Sequence, residues 1–204
     1  MLKKNKISKS WINKQKKDFF VRQSKLEGYR SRAVYKIIEI NKKFNILKNG
    51  ISIIDLGAAP GSWSQYIAKN FKNINLLAVD FKKIEPINNI YQLTGDFTKP
   101  EIKNKIKDYF KSKIDVVLSD MAQNTTGNKN LDVILTNELS EEAMVFARET
   151  MKLNGTFITK IFMGSTFKEI LALSRQFFKE TKVFKPDSSR KDSKENFIIC
   201  RYLK

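Results

Sequence analysis

The stretch that decides the fold is Asp55-Leu56-Gly57-Ala58-Ala59-Pro60-Gly61-Ser62-Trp63. The apolar run 51–54 before it is typical of a buried strand, and Ser62 can begin a helix. A strand that ends in a carboxylate and continues through a glycine turn into a helix is typical of open α/β sheets, which bind ligands beside such turns. The stretch therefore predicts a small-molecule pocket at the carboxyl end of a central strand.

The spacing of the glycines indicates which ligand this pocket binds. A dinucleotide-binding turn has the pattern G-x-G-x-x-G, and a P-loop carries a lysine after its last glycine. Here only Gly57 and Gly61 are present, and no such lysine follows. A nicotinamide enzyme is therefore the least favoured alternative. A cationic cofactor without phosphates fits an acidic strand end better, and S-adenosylmethionine is the common one.

Strand and helix patterns alternate along the rest of the chain. Strands are predicted at 51–55, 76–79, 91–93, 114–118, 156–162, 181–185 and 196–203, with a turn at 152–155. Helices are predicted from near Ser31, from Ser62, and over 99–110, 131–150 and 166–178. This alternation predicts one doubly wound, Rossmann-like α/β fold with a mostly parallel seven-stranded sheet. The last strand follows a short loop, so we expect an antiparallel strand in the edge region of the sheet.

The charge of the chain is unevenly distributed. The formal net charge is +18, and residues 1–36 hold twelve lysines or arginines against two acids. We assign residues 1–30 to a basic arm, helical from about Trp11, and residues 31–204 to the folded domain. A field of this size favours a polyanionic partner such as a nucleic acid, with a membrane surface as the alternative.

The composition excludes several classes of protein. The chain has no histidine, which excludes a Ser-His triad and histidine metal sites. Its one cysteine, Cys200, excludes an intrachain disulfide and is expected in the core. No apolar run approaches the roughly 20 residues that span a bilayer, and the N-terminus does not resemble a secretory signal. We therefore expect a cytoplasmic protein with no membrane partner and no metal.

Four acids are predicted to share one rim of the sheet. Asp55, Asp80 and Asp120 end three strands, and Asp96 follows a fourth. One acid at such a position is often only a helix cap, but four together indicate a ligand site. Asp80 lies about 20 residues after the glycine turn, where an acid accepts hydrogen bonds from a ribose. Asp96 is placed to meet an adenine amino group.

Lys160 interrupts the otherwise apolar alternation of the strand at 156–162. Because lysine is rarely buried without a partner, we expect Lys160 to be paired or to face the pocket. The alternative is a lysine at a strand end that leans into solvent. Lys36 and Glu195 have ordinary alternatives, a solvated helix face and a loop acid, and neither would be singled out by itself.

Five segments, taken in order, resemble the FtsJ family of S-adenosylmethionine-dependent RNA ribose 2′-O-methyltransferases. They are residues 31–36, 55–63, 119–122, 160–162 and 185–190. The resemblance implies that residues 31–204 are a methyltransferase domain, and that the substrate is a uridine of large-subunit ribosomal RNA. It further implies a monomer that acts on the large ribosomal subunit. Gln123 and Ser62 depart from the family's usual proline and glycine.

The resemblance also implies two sets of site residues. The catalytic Lys-Asp-Lys-Glu tetrad of the family falls on Lys36, Asp120, Lys160 and Glu195. The cofactor contacts fall on Gly61, Trp63, Asp80, Asp96 and Asp120. Phosphate contacts are expected from the basic arm, including Arg30, and from Arg32, Arg190 and Lys191.

The tetrad suits the chemistry, because a ribose hydroxyl is a poor nucleophile until its proton leaves. We expect Lys160 nearest the 2′-oxygen, oriented by the other three residues. A lysine of ordinary pKa, about 10.4, is almost entirely charged at neutral pH. The sequence therefore leaves open whether Lys160 accepts the proton or stabilises the developing alkoxide.

Three alternatives remain beside this interpretation. A base-directed N-methyltransferase normally carries Asp/Asn-Pro-Pro-aromatic, which the segment 119–124 lacks. A 2′-O-methyltransferase that acts on transfer RNA or a cap would share the whole pattern. A non-enzymatic RNA-binding protein on the same fold is disfavoured by the complete tetrad.

Overall fold

A seven-stranded sheet forms the centre of the computed structural model, which describes residues 18–204. The strands are β1 Ser52–Leu56, β2 Asn75–Asp80, β3 Tyr91–Thr94, β4 Ile114–Ser119, β5 Met151–Phe162, β6 Phe178–Phe184 and β7 Glu195–Leu203. The helices are α1 Phe19–Leu26, α2 Val34–Phe44, α3 Ser62–Asn70, α4 Pro100–Phe110, α5 Lys129–Thr150 and α6 Phe167–Phe177. The part of the expected helix from about Trp11 to Lys17 lies outside the described residues.

The strand order β3-β2-β1-β4-β5-β7-β6 creates one topological switch point. β1 pairs in parallel with β2 on one side and with β4 on the other. The connections that follow β1 and β4 therefore leave the sheet side by side at its carboxyl edge, which is where open α/β sheets bind ligands. The predicted mostly parallel seven-stranded sheet is confirmed.

The antiparallel strand lies one position inside the edge. β7 pairs antiparallel with both β5 and β6, so β6 is the edge strand, and the predicted antiparallel strand in the edge region of the sheet is confirmed. β7, and not β6, lies next to β5. The reason is that α6 carries the chain past the place beside β5, and β7 returns into that place. This arrangement brings Glu195, the first residue of β7, opposite Phe162 at the end of β5.

Helices cover both faces of the sheet. On one face, α2 and α3 bury Ile37, Ile40, Trp63 and Ile67 against the strands. On the other face, α4, α5 and α6 bury a larger set of apolar side chains that includes Phe146. Each helix presents its apolar residues at helical spacing, so burial of this stripe is the main driving force for docking.

Two local features differ from the sequence-based expectations or refine them. The predicted turn at 152–155 is an irregularity inside β5, where the register with β4 shifts between Ile114 and Val116. A Cβ atom on Gly155 would lie 2.9 Å from the backbone oxygen of Asp115, so only glycine lets the two strands approach there. Cys200 is fully buried in the core as expected, and burial raises the pKa of its thiol to about 12.

The described part of the predicted basic arm lies against the body. Asp18 caps α1, because its Oδ1 atom accepts hydrogen bonds from the backbone N–H groups of Phe20 and Val21 at 3.1 and 3.3 Å. Its Oδ2 atom pairs with Arg32 and with Arg190. None of the helices within residues 18–204 is both long and apolar enough to cross a membrane.

Candidate active site

A cavity of about 500 Å³ lies at the carboxyl edge of the sheet, at the switch point. The glycine turn, the segment 80–82 after β2, the segment 95–98 after β3 and the segment 120–124 after β4 line it. Its volume is that of an ordinary small-molecule pocket. It therefore occupies the place where the sequence predicts a ligand.

The glycine turn is held by backbone hydrogen bonds to the neighbouring strand. The N–H groups of Gly57 and Ala58 both donate to the backbone oxygen of Val79, at 2.9 and 3.1 Å. Gly57 and Gly61 have φ angles of +74° and +104°, which L-residues with a Cβ rarely adopt. The Ala59–Pro60 peptide bond is cis. The two hydrogen bonds to the Val79 oxygen fix the turn at the mouth of the cavity.

Asp80 both lines the cavity and holds its wall together. Its Oδ2 atom accepts a hydrogen bond from the N–H of Ala59 at 2.9 Å, and its Oδ1 atom accepts one from the N–H of Lys82 at 2.8 Å. The side chain therefore ties the glycine turn to the loop after β2. Because each carboxylate oxygen has a second lone pair, Asp80 can also accept hydrogen bonds from a ligand.

Asp96 is the more exposed acid of the cavity. Its Oδ1 atom accepts hydrogen bonds from the hydroxyl and the backbone N–H of Thr98, at 2.8 and 3.0 Å. These bonds lower the pKa of Asp96, so the carboxylate is charged at neutral pH. Asp96 thus offers an oriented anion at the far end of the cavity from the tetrad.

The structure places Gly61 and Trp63 at the start of α3 and outside the lining of the large cavity. The indole Nε1 of Trp63 donates to the backbone oxygen of Ala33 at 2.7 Å, and its ring packs 5.8 Å from that of Phe197. Trp63 lines a smaller cavity of about 20 Å³ beneath the turn, together with Asp120. Its side chain is therefore part of the core.

Asp55 also lines this smaller cavity; it is one of the four acids predicted at the rim of the sheet, although the family resemblance does not imply it as a site residue. Its Oδ2 atom accepts a hydrogen bond from the Ser64 hydroxyl at 2.7 Å. Its Oδ1 atom is buried and accepts no hydrogen bond from residues 18–204. Burial raises the pKa of Asp55 to about 7, although the bond from Ser64 opposes this shift. A buried, unpaired carboxylate oxygen beside the turn suits a ligand with a cationic or hydrogen-bonding group.

The four predicted catalytic residues lie in one continuous network. The Nζ atom of Lys160 lies 3.0 Å from Oδ1 of Asp120 and donates to the Asp120 backbone oxygen at 2.6 Å. The Nζ atom of Lys36 lies 3.6 Å from Oδ2 of Asp120 and 2.7 Å from Oε2 of Glu195. Asp120 thus stands between the two lysines, and it also lines the 500 Å³ cavity.

Three neighbouring strands and one helix bring these side chains together. Asp120 directly follows β4, and its N–H donates to the Leu56 oxygen of β1 at 3.2 Å. Lys160 of β5 lies opposite Phe197 of β7, and Phe197 is two residues after Glu195 along β7. Lys36 reaches the network from α2, with its Nζ atom 5.7 Å from the centre of the Phe197 ring. The tetrad therefore forms only when the sheet order and α2 are both in place.

Burial and opposite charges compete throughout the tetrad. Burial opposes the charge of Lys36, but the carboxylates of Asp120 and Glu195 outweigh it, so the pKa of Lys36 is raised. Burial also opposes the charge of Asp120, but Lys160 and Lys36 outweigh it, so the pKa of Asp120 is lowered. Lys36 is therefore an ammonium and Asp120 a carboxylate at neutral pH. The side chain of Lys160 is almost wholly buried beside them.

A second cleft, of about 240 Å³, opens next to the tetrad. Arg32, Arg190, Lys36 and Glu195 are among its lining residues. Both arginines are held in place, because Arg32 donates to Asp18 and to the Ser188 backbone oxygen, and Nε of Arg190 lies 3.4 Å from Asp18. This basic cleft is therefore preformed beside the network.

The loop that carries Arg190 is anchored to α2 by Glu39. Its carboxylate accepts hydrogen bonds from the N–H groups of Asp187 and Ser188, at 2.6 and 2.9 Å. The hydroxyl of Ser189 in the same loop donates to Oε1 of Glu195 at 2.7 Å. Neither Glu39 nor Asp18 was singled out from the sequence, because both act through partners more than 140 positions away.

Comparisons with known proteins agree with this geometry. A family model described as FtsJ-like methyltransferase matches residues 29–203. The protein named Ribosomal RNA large subunit methyltransferase E in Pelagibacter ubique is 60% identical over the full length of both chains. The protein of the same name in Zymomonas mobilis is 40% identical over 95% of this chain and 88% of its own.

Solved structures share the fold. A Plasmodium falciparum protein described as a ribosomal RNA methyltransferase superposes with a TM-score of 0.77 and 32% identity, over 86% of this chain and 98% of that one. Human methyltransferase-like protein 13, solved with S-adenosylhomocysteine, superposes with a TM-score of 0.59 and 11% identity, over 83% and 79% of the two chains. The predicted Rossmann-like methyltransferase fold is confirmed. The chain belongs to the FtsJ-like methyltransferase family, whose methyl donor is S-adenosylmethionine.

Proposed function

We propose that the protein methylates a ribose 2′-hydroxyl, that of a uridine in large-subunit ribosomal RNA. The observation that carries the proposal is the almost wholly buried Lys160 amine, 3.0 Å from the Asp120 carboxylate that lines the cofactor cavity. Since the full-length relative at 60% identity is named for methylation of this RNA, the same substrate class is the most economical assignment. A monomer that acts in the cytoplasm on the assembled large subunit completes the proposal.

The residues of the cavity fit S-adenosylmethionine. Asp80 and Asp96 supply carboxylates for the ribose hydroxyls and the adenine amino group. Asp120 supplies a carboxylate beneath the glycine turn, and the buried Oδ1 atom of Asp55, which accepts no hydrogen bond from residues 18–204, can accept one from the cofactor. S-adenosylmethionine supplies, when bound, a methyl group that its sulfonium charge activates. Gly61 and Trp63 contribute through the start of α3 rather than through a side chain in the large cavity.

Lys160 is the residue that we assign to the 2′-oxygen. Asp120 accepts from its amine through the backbone oxygen and lies at ion-pair distance through Oδ1, so the amine is fixed in direction. A fixed amine can accept the hydroxyl proton, or it can stabilise the alkoxide as an ammonium. Lys36 lies at ion-pair distance from Asp120, and Glu195 in turn holds Lys36.

The basic cleft supplies the contacts for the RNA backbone. Arg190 has its guanidinium partly exposed beside Lys36 and Glu195, and Lys191 follows it in the same loop. Phosphate contacts of this kind position the RNA without reading its sequence. The fold of the RNA around the target nucleotide then selects the site.

Ribose methylation mapped by reverse-transcription stops tests the proposal. Unmethylated large-subunit RNA, assembled large subunits, transfer RNA and capped RNA are each incubated with S-adenosylmethionine and the protein. We expect one new stop, at a uridine in the large-subunit RNA, and none with the Lys160→Ala variant. Methylation of another RNA alone would overturn the substrate assignment. Binding of RNA without methylation of any of the four would support the non-enzymatic alternative.

A further inference from the structure

Arg30 joins two segments on the outer side of the cofactor cavity. Its Nη1 atom donates to the backbone oxygens of Pro60 and Glu85, at 3.0 and 2.8 Å, and its Nη2 atom donates to that of Pro86 at 2.7 Å. Pro60 belongs to the glycine turn, whereas Glu85 and Pro86 belong to the loop between β2 and β3. One guanidinium therefore bridges the turn and the loop.

The main chain at Arg30 is fixed as well. Its N–H donates to Oε1 of Gln65 at 3.2 Å, and Nε2 of Gln65 donates to the Gly28 backbone oxygen at 2.9 Å. Gln65 lies on α3, directly after the glycine turn. The backbone from which the guanidinium extends is therefore fixed to α3.

The glycine turn and the loop meet on the inner side too. The N–H of Ala59 donates to Asp80, which leads into the loop. Ala58 packs with Ile84 and Ile87 in a small apolar cluster. A Cβ atom on Gly61 would lie 2.8 Å from Nη1 of Arg30. The bridging guanidinium is thus packed directly against the turn.

We propose that Arg30 is a positioning residue of the cofactor site and not the phosphate contact that its place in a basic segment predicts. It fixes the glycine turn against the loop after Asp80, and so it sets the width of the cavity between them. The planar fork of a guanidinium reaches three carbonyl oxygens together, which a lysine ammonium on a flexible stem does not reproduce. The proposal depends on the cofactor cavity alone and is independent of which RNA is the substrate.

Calorimetric titration of the RNA-free protein with S-adenosylhomocysteine tests this assignment. We expect Arg30→Ala to raise the dissociation constant about tenfold, because three hydrogen bonds that hold the cavity wall are lost. Arg30→Lys should lie between this variant and the wild type. Arg190→Ala is the matched control, since it removes an arginine from the basic cleft, and it should bind S-adenosylhomocysteine as the wild type does.

Binding of a 20-residue oligouridylate by filter retention separates the two roles. Arg190→Ala should weaken it, and Arg30→Ala should leave it within about twofold, since the Arg30 donors face the protein. In steady-state assays Arg30→Ala should raise the KM for S-adenosylmethionine and leave kcat nearly unchanged. Wild-type affinity of Arg30→Ala for S-adenosylhomocysteine, with weakened RNA binding, would overturn the proposal. If Arg30→Ala does not fold, wild-type affinity of Arg30→Lys would overturn it equally.

Discussion

The cofactor cavity and the basic cleft lie on opposite sides of the tetrad and are built in different ways. Most of the cavity wall is backbone and acids from one stretch of chain, from the glycine turn to the segment after β3, and the segment 120–124 after β4 completes it. The cleft is made of side chains from distant segments, held by Asp18 and Glu39. A mostly local motif thus forms the proposed cofactor site, and contacts between distant residues form the cleft proposed to bind RNA. The two sites should therefore respond separately to substitution, salt and pH.

A large separation should come from Lys36, which belongs to the tetrad but does not line the cavity. Removing its ammonium leaves Asp120 and Glu195 without a shared partner. We expect Lys36→Ala to lower the methylation rate by about a hundredfold, in the range of a positioned acid–base group. Affinity for S-adenosylhomocysteine should change less than threefold by calorimetry. An equal loss in both measurements would show that the two sites are one cooperative unit.

Salt should separate the two sides next. We propose that the cleft and the arm contact phosphates, so RNA affinity should fall about ten- to a hundredfold from 50 to 200 mM salt, as about three to five phosphate contacts require. Affinity for S-adenosylhomocysteine, measured in the same buffers, should stay nearly constant. A flat response of RNA binding would contradict the assignment of the cleft.

Asp80 and Asp96, two of the acids that line the cavity, should differ from each other. Asp80→Ala removes the acceptor of two backbone N–H groups, so it should weaken cofactor binding about tenfold and lower the free energy of unfolding by about 2 kcal/mol. Asp96→Ala should weaken binding with little loss of stability, since Asp96 is exposed. Urea unfolding and calorimetry measure the two quantities. Equal destabilisation by both variants would contradict this distinction.

A further expected effect concerns Asp55 and pH. Burial raises its pKa to about 7, against about 3.9 for an exposed aspartate. The folded state then binds this proton more tightly than the unfolded state, so the Asp55 carboxyl costs stability as the pH rises between these values. Asp55→Asn keeps an acceptor for Ser64 and removes the titration. As the pH rises to about 7, the free energy of unfolding of Asp55→Asn should increase relative to that of the wild type. Above about pH 7 the difference between the two should stay constant. Parallel curves in urea unfolding would contradict the raised pKa.

The sequence predicts the parts of the molecule that are encoded locally. The glycine turn, the ends of β1, β2 and β4, and the exposed acid after β3 all follow from short patterns of apolar residues, glycine and aspartate. These patterns determine φ angles and burial within a few residues. For the same reason the large cavity lies where the turn predicts it.

What the sequence did not reveal depends on contacts between distant residues. The position of β7 between β5 and β6 depends on where α6 ends in the fold. The anchoring of the Asp187–Ser188 segment by Glu39, and of Arg190 by Asp18, joins residues more than 140 positions apart. Arg30 has the charge and the sequence position expected of a phosphate contact, but its hydrogen-bond partners are backbone oxygens. A pattern of side chains along the sequence does not reveal such partners. The tetrad itself was found through the family resemblance, since Lys36 and Glu195 carry no local signal.

The most direct test of the account is the Lys160→Ala variant, measured in one preparation for S-adenosylhomocysteine affinity and for single-turnover methylation of large-subunit RNA. We expect the dissociation constant of the variant for S-adenosylhomocysteine to stay within about twofold of the wild-type value. Its methylation rate should fall by about a thousandfold. Near-normal methylation by the variant would contradict the assignment of Lys160 to the ribose oxygen, and so would a loss that follows entirely from weaker cofactor binding.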